Sequence, residues 1–285
     1  MAKAKAKSVK VAAPDELIAA AKAKIVRAKY YNTGKTDKFG KIVGYREFPE
    51  GSVPFEHQVH HHDEQGRVVF FEKFSREFSK PSLRVFHYQD WHVVEAVWID
   101  RYGRVENYHR YDYDTATNLL AWRAEYNHEG QLYYYILSKY DEKMDHIEDA
   151  WFDARDKQVK RLTYKNDATG EPLEQAEYDE SDQLVGTLKL KYDKRGNVVE
   201  RAWHNPKGDR MSRFVYSYDP KDFVVKVELR AEKDNLEAKQ EFGYDAVGNV
   251  ISEKWYDQQG KLYKDLRFEG STAKPAPAKI LAKKR

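Results

Sequence analysis

The sequence predicts an all-β fold: a long antiparallel β-meander of about eighteen strands, flat or curled, preceded by one α-helix. The first observation is a Tyr-Asp-like pair that recurs every 12 to 14 residues, from Tyr140-Asp141 to Phe268-Glu269. The second is that segments such as "DKRGN", "NPKGD", "DAVGN" and "DQQGK" begin at the second residue of the pairs. Asp or Asn at the first position can bond the backbone two residues on, and the glycine supplies positive φ, so each segment predicts a hairpin turn.

Alternation within the predicted strands is the third observation. In "FVVKVELRA", strict alternation places Phe223, Val225, Val227 and Leu229 on one face and charged residues on the other. The sequence also contains a second, longer period: Trp98, Trp151, Trp203 and Trp255 are spaced by 53, 52 and 52 residues. Each interval covers four strands, so a propeller of four-strand blades is an alternative to a continuous meander.

The predicted organisation has four parts. Residues 1–13 form a basic tail, residues 14–30 a capping helix, residues 31–270 the β-repeat domain and residues 271–285 a second basic tail. The helix is predicted because Pro14 and two acids begin it and Leu17, Ile18, Ala21, Ile25 and Ala28 can form one apolar stripe. Such a helix can cover the first edge of the sheet or an open hydrophobic end.

Charge is distributed unevenly along the 285 residues. Both tails lack acids, and removing their nine positive charges from the net charge of +3 leaves −6 for the body. This distribution is typical of arms that contact a polyanion, although it is also compatible with tails that only confer solubility. The basic candidates for binding are Lys3, Lys5, Lys7, Lys10, Lys274, Lys279, Lys283, Lys284 and Arg285.

Composition limits the chemistry. The chain contains no cysteine, which excludes disulfides, thiolate metal sites and cysteine nucleophiles. It shows no signal peptide and no apolar run long enough for a membrane span, so we expect a cytoplasmic protein without membrane contact. The segment "HQVHHHDE" contains His57, His60, His61 and His62, but its spacing is not diagnostic of a metal site. A solvated strand and turn explains it better.

At "YDKRGNVV", "YDPKDFVV", "YDAVGNVI" and "YDQQGKLY" the chain resembles the YD repeats of RHS-type proteins, which are related in pattern to MORN-variant repeats. The resemblance covers residues 140–268 well and residues 62–139 weakly. It implies a long, winding β-sheet, which in large members encloses a toxic C-terminal domain and elsewhere serves adhesion or ligand contact. No toxin domain follows Phe268 in this sequence.

Function is predicted in three classes. The preferred class is a non-catalytic scaffold that binds a protein or polyanionic macromolecule, with Trp98, Trp151, Trp203, Trp255 and the basic tails as binding residues. A nucleic-acid or ribosome-associated protein is the alternative, and a carbohydrate-active enzyme is the third. We expect no catalytic residues and no cofactor, because no nucleophile elbow, phosphate-binding loop or zinc-protease helix occurs. Edge strands, above all residues 262–268, are candidates for self-association.

Overall fold

The computed structural model describes residue 9 and residues 11–32, 47–48, 57–75, 78–246, 248 and 250–268. These residues form one helix and nineteen strands in a single sheet. The helix is α1 (Pro14–Lys22), and the strands are β1 (Arg27–Asn32), β2 (Glu47–Phe48), β3 (His57–His62), β4 (Val68–Ser75), β5 (Phe78–Gln89), β6 (His92–Ile99), β7 (Val105–Tyr113), β8 (Leu120–Tyr126), β9 (Leu132–Tyr140), β10 (His146–Asp153), β11 (Gln158–Asn166), β12 (Pro172–Tyr178), β13 (Leu184–Tyr192), β14 (Val198–His204), β15 (Arg210–Tyr218), β16 (Val224–Ala231), β17 (Leu236–Tyr244), β18 (Val250–Tyr256) and β19 (Leu262–Arg267). Eighteen of these described strands lie between residues 41 and 268, as predicted.

The sheet is a continuous meander. From β3 to β19 every strand pairs antiparallel with the next one in the chain. The Trp203 strand, β14, pairs with both β13 and β15, which excludes a blade boundary at the tryptophan period. One detail of the prediction is wrong: β2 pairs with β1, and β1 pairs with β3, so the order is not strictly sequential at the N-terminal end.

The predicted helix over residues 14–30 is too long. α1 ends at Lys22, and Val26, just before β1, donates its backbone N–H to the carbonyl oxygen of His62 at 2.8 Å. The β-branched pair Ile25-Val26 and the tyrosines that follow favour a strand, and pairing with β3 satisfies the backbone there. α1 contacts β4 and β5, so it covers a hydrophobic end of the sheet and not its first edge.

Hairpin turns follow one design along the sheet. In the turn after β13, Gly196 donates its N–H to the carbonyl of Asp193 (3.0 Å), while the carboxylate of Asp193 accepts the N–H groups of Arg195 (2.8 Å) and Asn197 (2.9 Å). The predicted Asp and Gly roles are therefore confirmed. One residue with positive φ occupies each of fifteen described turns: Gly66, Asp90, Gly103, Asn118, Gly130, Met144, Asp156, Gly170, Asp182, Gly196, Gly208, Asp222, Asp234, Gly248 and Gly260.

A β-bulge follows these turns. After the turn at Gly196, Tyr192 pairs with Val198 but Lys191 pairs with Glu200, so Val199 is an extra residue without an opposite partner. The same shift after β15 corrects the strict alternation predicted for β16. Val224, which is 3% exposed, takes the buried position that the pattern gives to Val225, because Val225 is the extra residue.

The two sheet faces exchange roles along the chain. We call the face that α1 covers the helix face and its opposite the open face; the strand register assigns residues to each. On β4 to β10 the main buried cluster lies on the helix face, with Phe70, Val85, Val97 and Tyr135 packed together with Leu17 of α1. On β13 to β18 a second cluster lies on the open face: Val198, Tyr216, Val224, Val227 and Phe242.

A tyrosine clamp ties neighbouring hairpins together. A residue at or next to the end of each clamped strand donates a hydrogen bond to the backbone carbonyl twenty residues earlier, at or next to the start of the preceding strand. The hydroxyl of Tyr218, for example, reaches the carbonyl oxygen of Val198 at 2.7 Å. The clamps are Tyr88 to Val68, Tyr113 to Val93, Tyr140 to Leu120, Asn166 to His146, Tyr192 to Pro172, Tyr218 to Val198 and Tyr244 to Val224. The Tyr of the Tyr-Asp pair is therefore a structural group.

Removing one clamp should lower the stability of the fold by a measurable amount. We expect Tyr218→Phe to lower the free energy of unfolding by about 1 kcal/mol, because the half-buried carbonyl of Val198 loses its donor while the ring stays in place. Urea unfolding measures this difference. Tyr102→Phe is the control, because the Tyr102 side chain is 67% exposed; an equal effect of both changes would contradict the clamp.

The positive φ angles of the turn residues predict how substitutions there change the stability of the fold. Gly196 has φ +81° and open space around its missing Cβ, so Gly196→Val should cost roughly 1 kcal/mol or more through backbone strain alone. Met144 has φ +67°, and Met144→Gly should stabilise the fold for the same reason. In thermal unfolding the midpoint temperature should fall for Gly196→Val and rise for Met144→Gly. Tolerance of valine at position 196 would show that the turn assignment is wrong.

Candidate binding surfaces

The basic candidates Lys3, Lys5, Lys7, Lys10, Lys274, Lys279, Lys283, Lys284 and Arg285 lie outside the described residues. Within the predicted tail 1–13, Val9 donates its N–H to the carbonyl of Gly130 at 3.0 Å, and Val9 and Val11 pack against the main buried cluster. A Cβ on Gly130 would lie 1.9 Å from the carbonyl oxygen of Val9, so glycine is needed for this approach. The end of the predicted tail is therefore part of the folded body.

The structure places the four tryptophans on the open face but does not bring them together. Each is separated from the next by four strand spacings, about 19 Å. Each is half-buried against its strand neighbours: Trp203 lies over Gly186, and Trp151 and Trp255 lie near the ammonium groups of Lys160 (5.5 Å) and Lys264 (5.6 Å). They form a series of packing sites and not one pocket.

Trp98 belongs to a chain of cross-strand contacts on the open face. The guanidinium of Arg84 lies 3.7 Å from the Trp98 ring centre, and the ring of His109 lies 4.1 Å from it. Glu125 then contacts His109 (3.2 Å) and accepts the hydroxyl of Tyr134 (2.5 Å). Burial lowers the pKa of His109 to about 4, so its ring is neutral at physiological pH. The carboxylate of Glu125 is held by the hydroxyl of Tyr134.

A second polar group surrounds Asp149, which is buried. Its Oδ1 accepts the hydroxyl of Ser138 (2.6 Å) and contacts Nε2 of His146 (2.9 Å), and its Oδ2 accepts the hydroxyl of Tyr164 (3.4 Å). Serine and histidine thus meet on the same carboxylate oxygen. Activating a serine nucleophile requires its hydroxyl to donate to the histidine ring, so this group stabilises the fold and does not form a triad.

Asp149 gives a pH-dependent contribution to stability. Burial alone raises the pKa of this carboxyl, but the hydrogen bonds from His146 and Ser138 outweigh it and hold the pKa below its usual value. A lowered pKa in the folded state stabilises the protein above the unfolded-state value, about 3.9, and this contribution is lost as pH falls through the folded value. We expect Asp149→Asn to flatten the loss of stability below about pH 4 in urea titrations. An unchanged pH profile would contradict this.

Among its described side chains the histidine segment does not gather into a metal site, and the side chain of His57 lies outside them. Within β3, His60 contacts Gln58 (2.9 Å), His61 contacts Glu72 (3.0 Å) and His62 contacts the carbonyl of Gly66 (3.0 Å). The described residues contain no group of three or more His, Asp or Glu positioned to hold a metal ion. The expected solvated strand is also only partly right, because burial, as the largest cause, lowers the pKa of His60 to about 4.

Sequence reasoning missed one repeated surface, which we call the margin row. It lies where every second turn leads into the next strand, at the extra residue of the bulge, and its six positions are 26 residues apart. Five of the six hold exposed apolar side chains. Their exposed fractions range from 38% to 60%. The period was visible in the sequence, but alternation alone does not reveal a bulged residue. The margin row consists of Tyr133, Val159, Val185, Met211 and Tyr263, with Glu237 at the equivalent position of β17.

Ion pairs recur every 26 residues, the period of the margin row, on the part of the helix face that α1 does not cover. Their distances are 2.6 Å for Lys139–Glu148, 2.7 Å for Lys165–Glu174 and 2.9 Å for Lys191–Glu200. Each lysine side chain is at least 65% exposed, so these pairs add little stability. Their regular spacing instead keeps this face polar, which leaves the margin row as the repeated exposed apolar feature of these strands.

Comparison with known proteins gives no family assignment. No protein-family model and no curated protein matches the chain. Among solved structures, it is similar to TcdB2-TccC3-Cdc42 (11% identity, TM-score 0.28, 80% of this chain and 17% of that chain) and to a porin-like protein from Bacteroides uniformis (7%, TM-score 0.40, 81% and 94%). A Tc holotoxin pore from Photorhabdus luminescens gives 11% identity and a TM-score of 0.24 over 81% of this chain and 18% of that one. The chain thus spans under a fifth of the toxin chains, and at these TM-scores the likenesses carry no functional conclusion.

In the parts of the chain that the structure describes, α1 is the one helix, and it is too short to cross a membrane.

Proposed function

We propose that this protein is a non-catalytic repeat scaffold that binds a macromolecular partner along the margin row, with its basic tails adding contacts to a polyanionic part of that partner. The margin row is the observation that carries the proposal. It extends over β9 to β19, ten strand spacings or about 48 Å, which is too long for a small ligand and suits an extended macromolecular surface.

The chemistry of the row supports binding. Large exposed apolar side chains that recur in line offer similar contacts at regular intervals, as repeat proteins do on their binding surfaces. The polar groups of the open face are less suited to catalysis, because Glu125 accepts the hydroxyl of Tyr134 and Asp149 is held by three partners. Kinship with YD-repeat proteins, supported by the Tyr-Asp motifs, and action in the cytoplasm belong to the same proposal.

Affinity capture from the native cell tests the row. The double variant Val185→Glu/Met211→Glu places charges on two central positions of the margin row and should lose the partner that the wild-type protein captures. Leu173→Glu is the matched control, since Leu173 is a 41% exposed residue at the opposite margin, at the start of β12. Equal capture by the double variant and the control would overturn the role of the row.

The alternative, nucleic-acid or ribosome association, predicts a different result in the same experiment. Removal of residues 1–8 and 271–285 deletes most tail charges but keeps Val9 and Val11, which the body needs for packing. If nucleic acid is the partner, capture should disappear with the tails and fall steeply with salt, even when the margin row is intact. Capture of a protein that survives tail removal favours the scaffold.

A further inference from the structure

The last strand of the sheet leaves one edge open within the described residues. β19 pairs with β18 and has no partner on its other side among them. Five of its six residues are exposed, and the exception is Leu266. Phe268 donates its N–H to the carbonyl of Ile251, towards β18. Because hydrogen-bonding direction alternates along a strand, the backbone groups of Asp265 and Arg267 point away from the sheet, where they can pair with another strand.

The regular part of this edge is short. Tyr263 is the extra residue of a bulge, since Trp255 pairs with Lys264 and Tyr256 with Leu262. An added strand therefore finds an undistorted template only from Lys264 to Phe268. This segment contains one acid and two bases, so the charge pattern restricts which register a partner strand can take.

A second copy of the same edge fits this template in one register. Two identical antiparallel strands related by a two-fold axis must place one residue opposite its own copy. Centring on Lys264, Asp265 or Arg267 opposes like charges, whereas centring on Leu266 opposes leucine to leucine and places Asp265 opposite Arg267 of the other copy, twice. Within one strand a guanidinium nitrogen of Arg267 lies 3.8 Å from a carboxylate oxygen of Asp265, and the Arg267 side chain is 81% exposed. The guanidinium is therefore accessible to Asp265 of the other copy.

We propose that β19 is a homodimer interface, in which two copies join antiparallel about Leu266 and continue the sheet across the two-fold axis. This interface uses the backbone edge of β19, and Tyr263 is the one margin-row residue on that strand. In this register Leu266 is a non-hydrogen-bonded pair, the arrangement that brings side chains closest, with Cα atoms about 4.5 Å apart. That distance lies within the range of a disulfide.

Cysteine cross-linking tests the register directly, because the chain has no cysteine of its own. Leu266→Cys should form a disulfide-linked dimer under mild oxidation, seen on a non-reducing gel. Lys264→Cys is the matched control: it lies opposite Phe268 of the other copy, so its own copy is about four residues, or about 13 Å, away. Failure of Leu266→Cys to cross-link, or equal cross-linking at position 264, overturns the proposal.

Charge exchange gives a second readout that does not depend on cysteine. Arg267→Asp opposes acids at both cross-strand pairs and should weaken dimerisation roughly tenfold in sedimentation equilibrium. The exchanged variant Asp265→Arg/Arg267→Asp restores opposite charges and should restore dimerisation. A wild-type protein that stays monomeric at all concentrations, or an exchanged variant as weak as Arg267→Asp, contradicts the interface. A dimer unaffected by any of these changes would place the contact elsewhere.

Discussion

Leu17→Ala is expected to lower the free energy of unfolding by about 2–5 kcal/mol, the largest effect predicted for this protein. Leu17 is 6% exposed and belongs to the same buried cluster as Phe70, Val85 and Val97. Truncation leaves a cavity between α1 and the helix face, and the rigid sheet cannot close it. Guanidinium unfolding, monitored by tryptophan fluorescence, measures the change.

The control for this prediction lies on the same helix. Ala19 is exposed, so Ala19→Ser changes helix propensity slightly but removes no buried contact. If Leu17→Ala and Ala19→Ser behave alike, within about 0.5 kcal/mol, α1 is not part of the core and the helix face is stabilised in another way.

Gly186→Ala is expected to cost about 1–3 kcal/mol, although alanine is normally a mild change in a strand. A Cβ at this position would lie 2.4 Å from Cζ2 of Trp203 and 2.6 Å from the backbone carbonyl oxygen of His204. The indole ring could move, but the carbonyl belongs to the β13–β14 ladder and cannot. Urea unfolding measures the loss.

A double-mutant cycle separates the two contacts. In a Trp203→Ala background, Gly186→Ala should cost less than in the wild-type protein, because the ring contact is already absent, and the remaining cost reports the backbone contact. Gly196→Ala is the matched control, since its Cβ would meet nothing within 4 Å and only the positive φ opposes it. An additive cycle would show that Trp203 does not pack on Gly186.

Much of the fold followed from local chemistry. Turn glycines, Asp at the first turn position and the recurring Tyr-Asp pair predicted the meander, because each acts through the backbone within a few residues. The end of α1 and the position of Val224 could not be predicted in the same way. The first depends on pairing between β1 and β3, and the second on a bulge that resets the alternation after the turn.

The sequence also could not predict that the buried cluster moves from the helix face to the open face along the chain. Alternation in a strand gives two faces but does not say which one α1 covers, and Phe70 and Tyr216 lie on opposite faces although both patterns look alike. For the binding surface, the four-strand interval predicted from the tryptophan period is confirmed, and at that separation the four tryptophans cannot form one site. Tyr133 and Met211 were missed since a bulged residue has no signature in period-two patterning.

Dependence of partner affinity on salt concentration is the measurement that tests the account most directly. The captured partner is titrated, at low and high salt, against the wild-type protein, the protein without residues 1–8 and 271–285, and Val185→Glu/Met211→Glu. Tail removal should weaken binding and flatten its salt dependence, whereas the margin-row variant should lose binding at every salt concentration. A margin-row variant that binds as tightly as the wild-type protein, with the same salt dependence, would contradict the claim that the sheet recognises the partner.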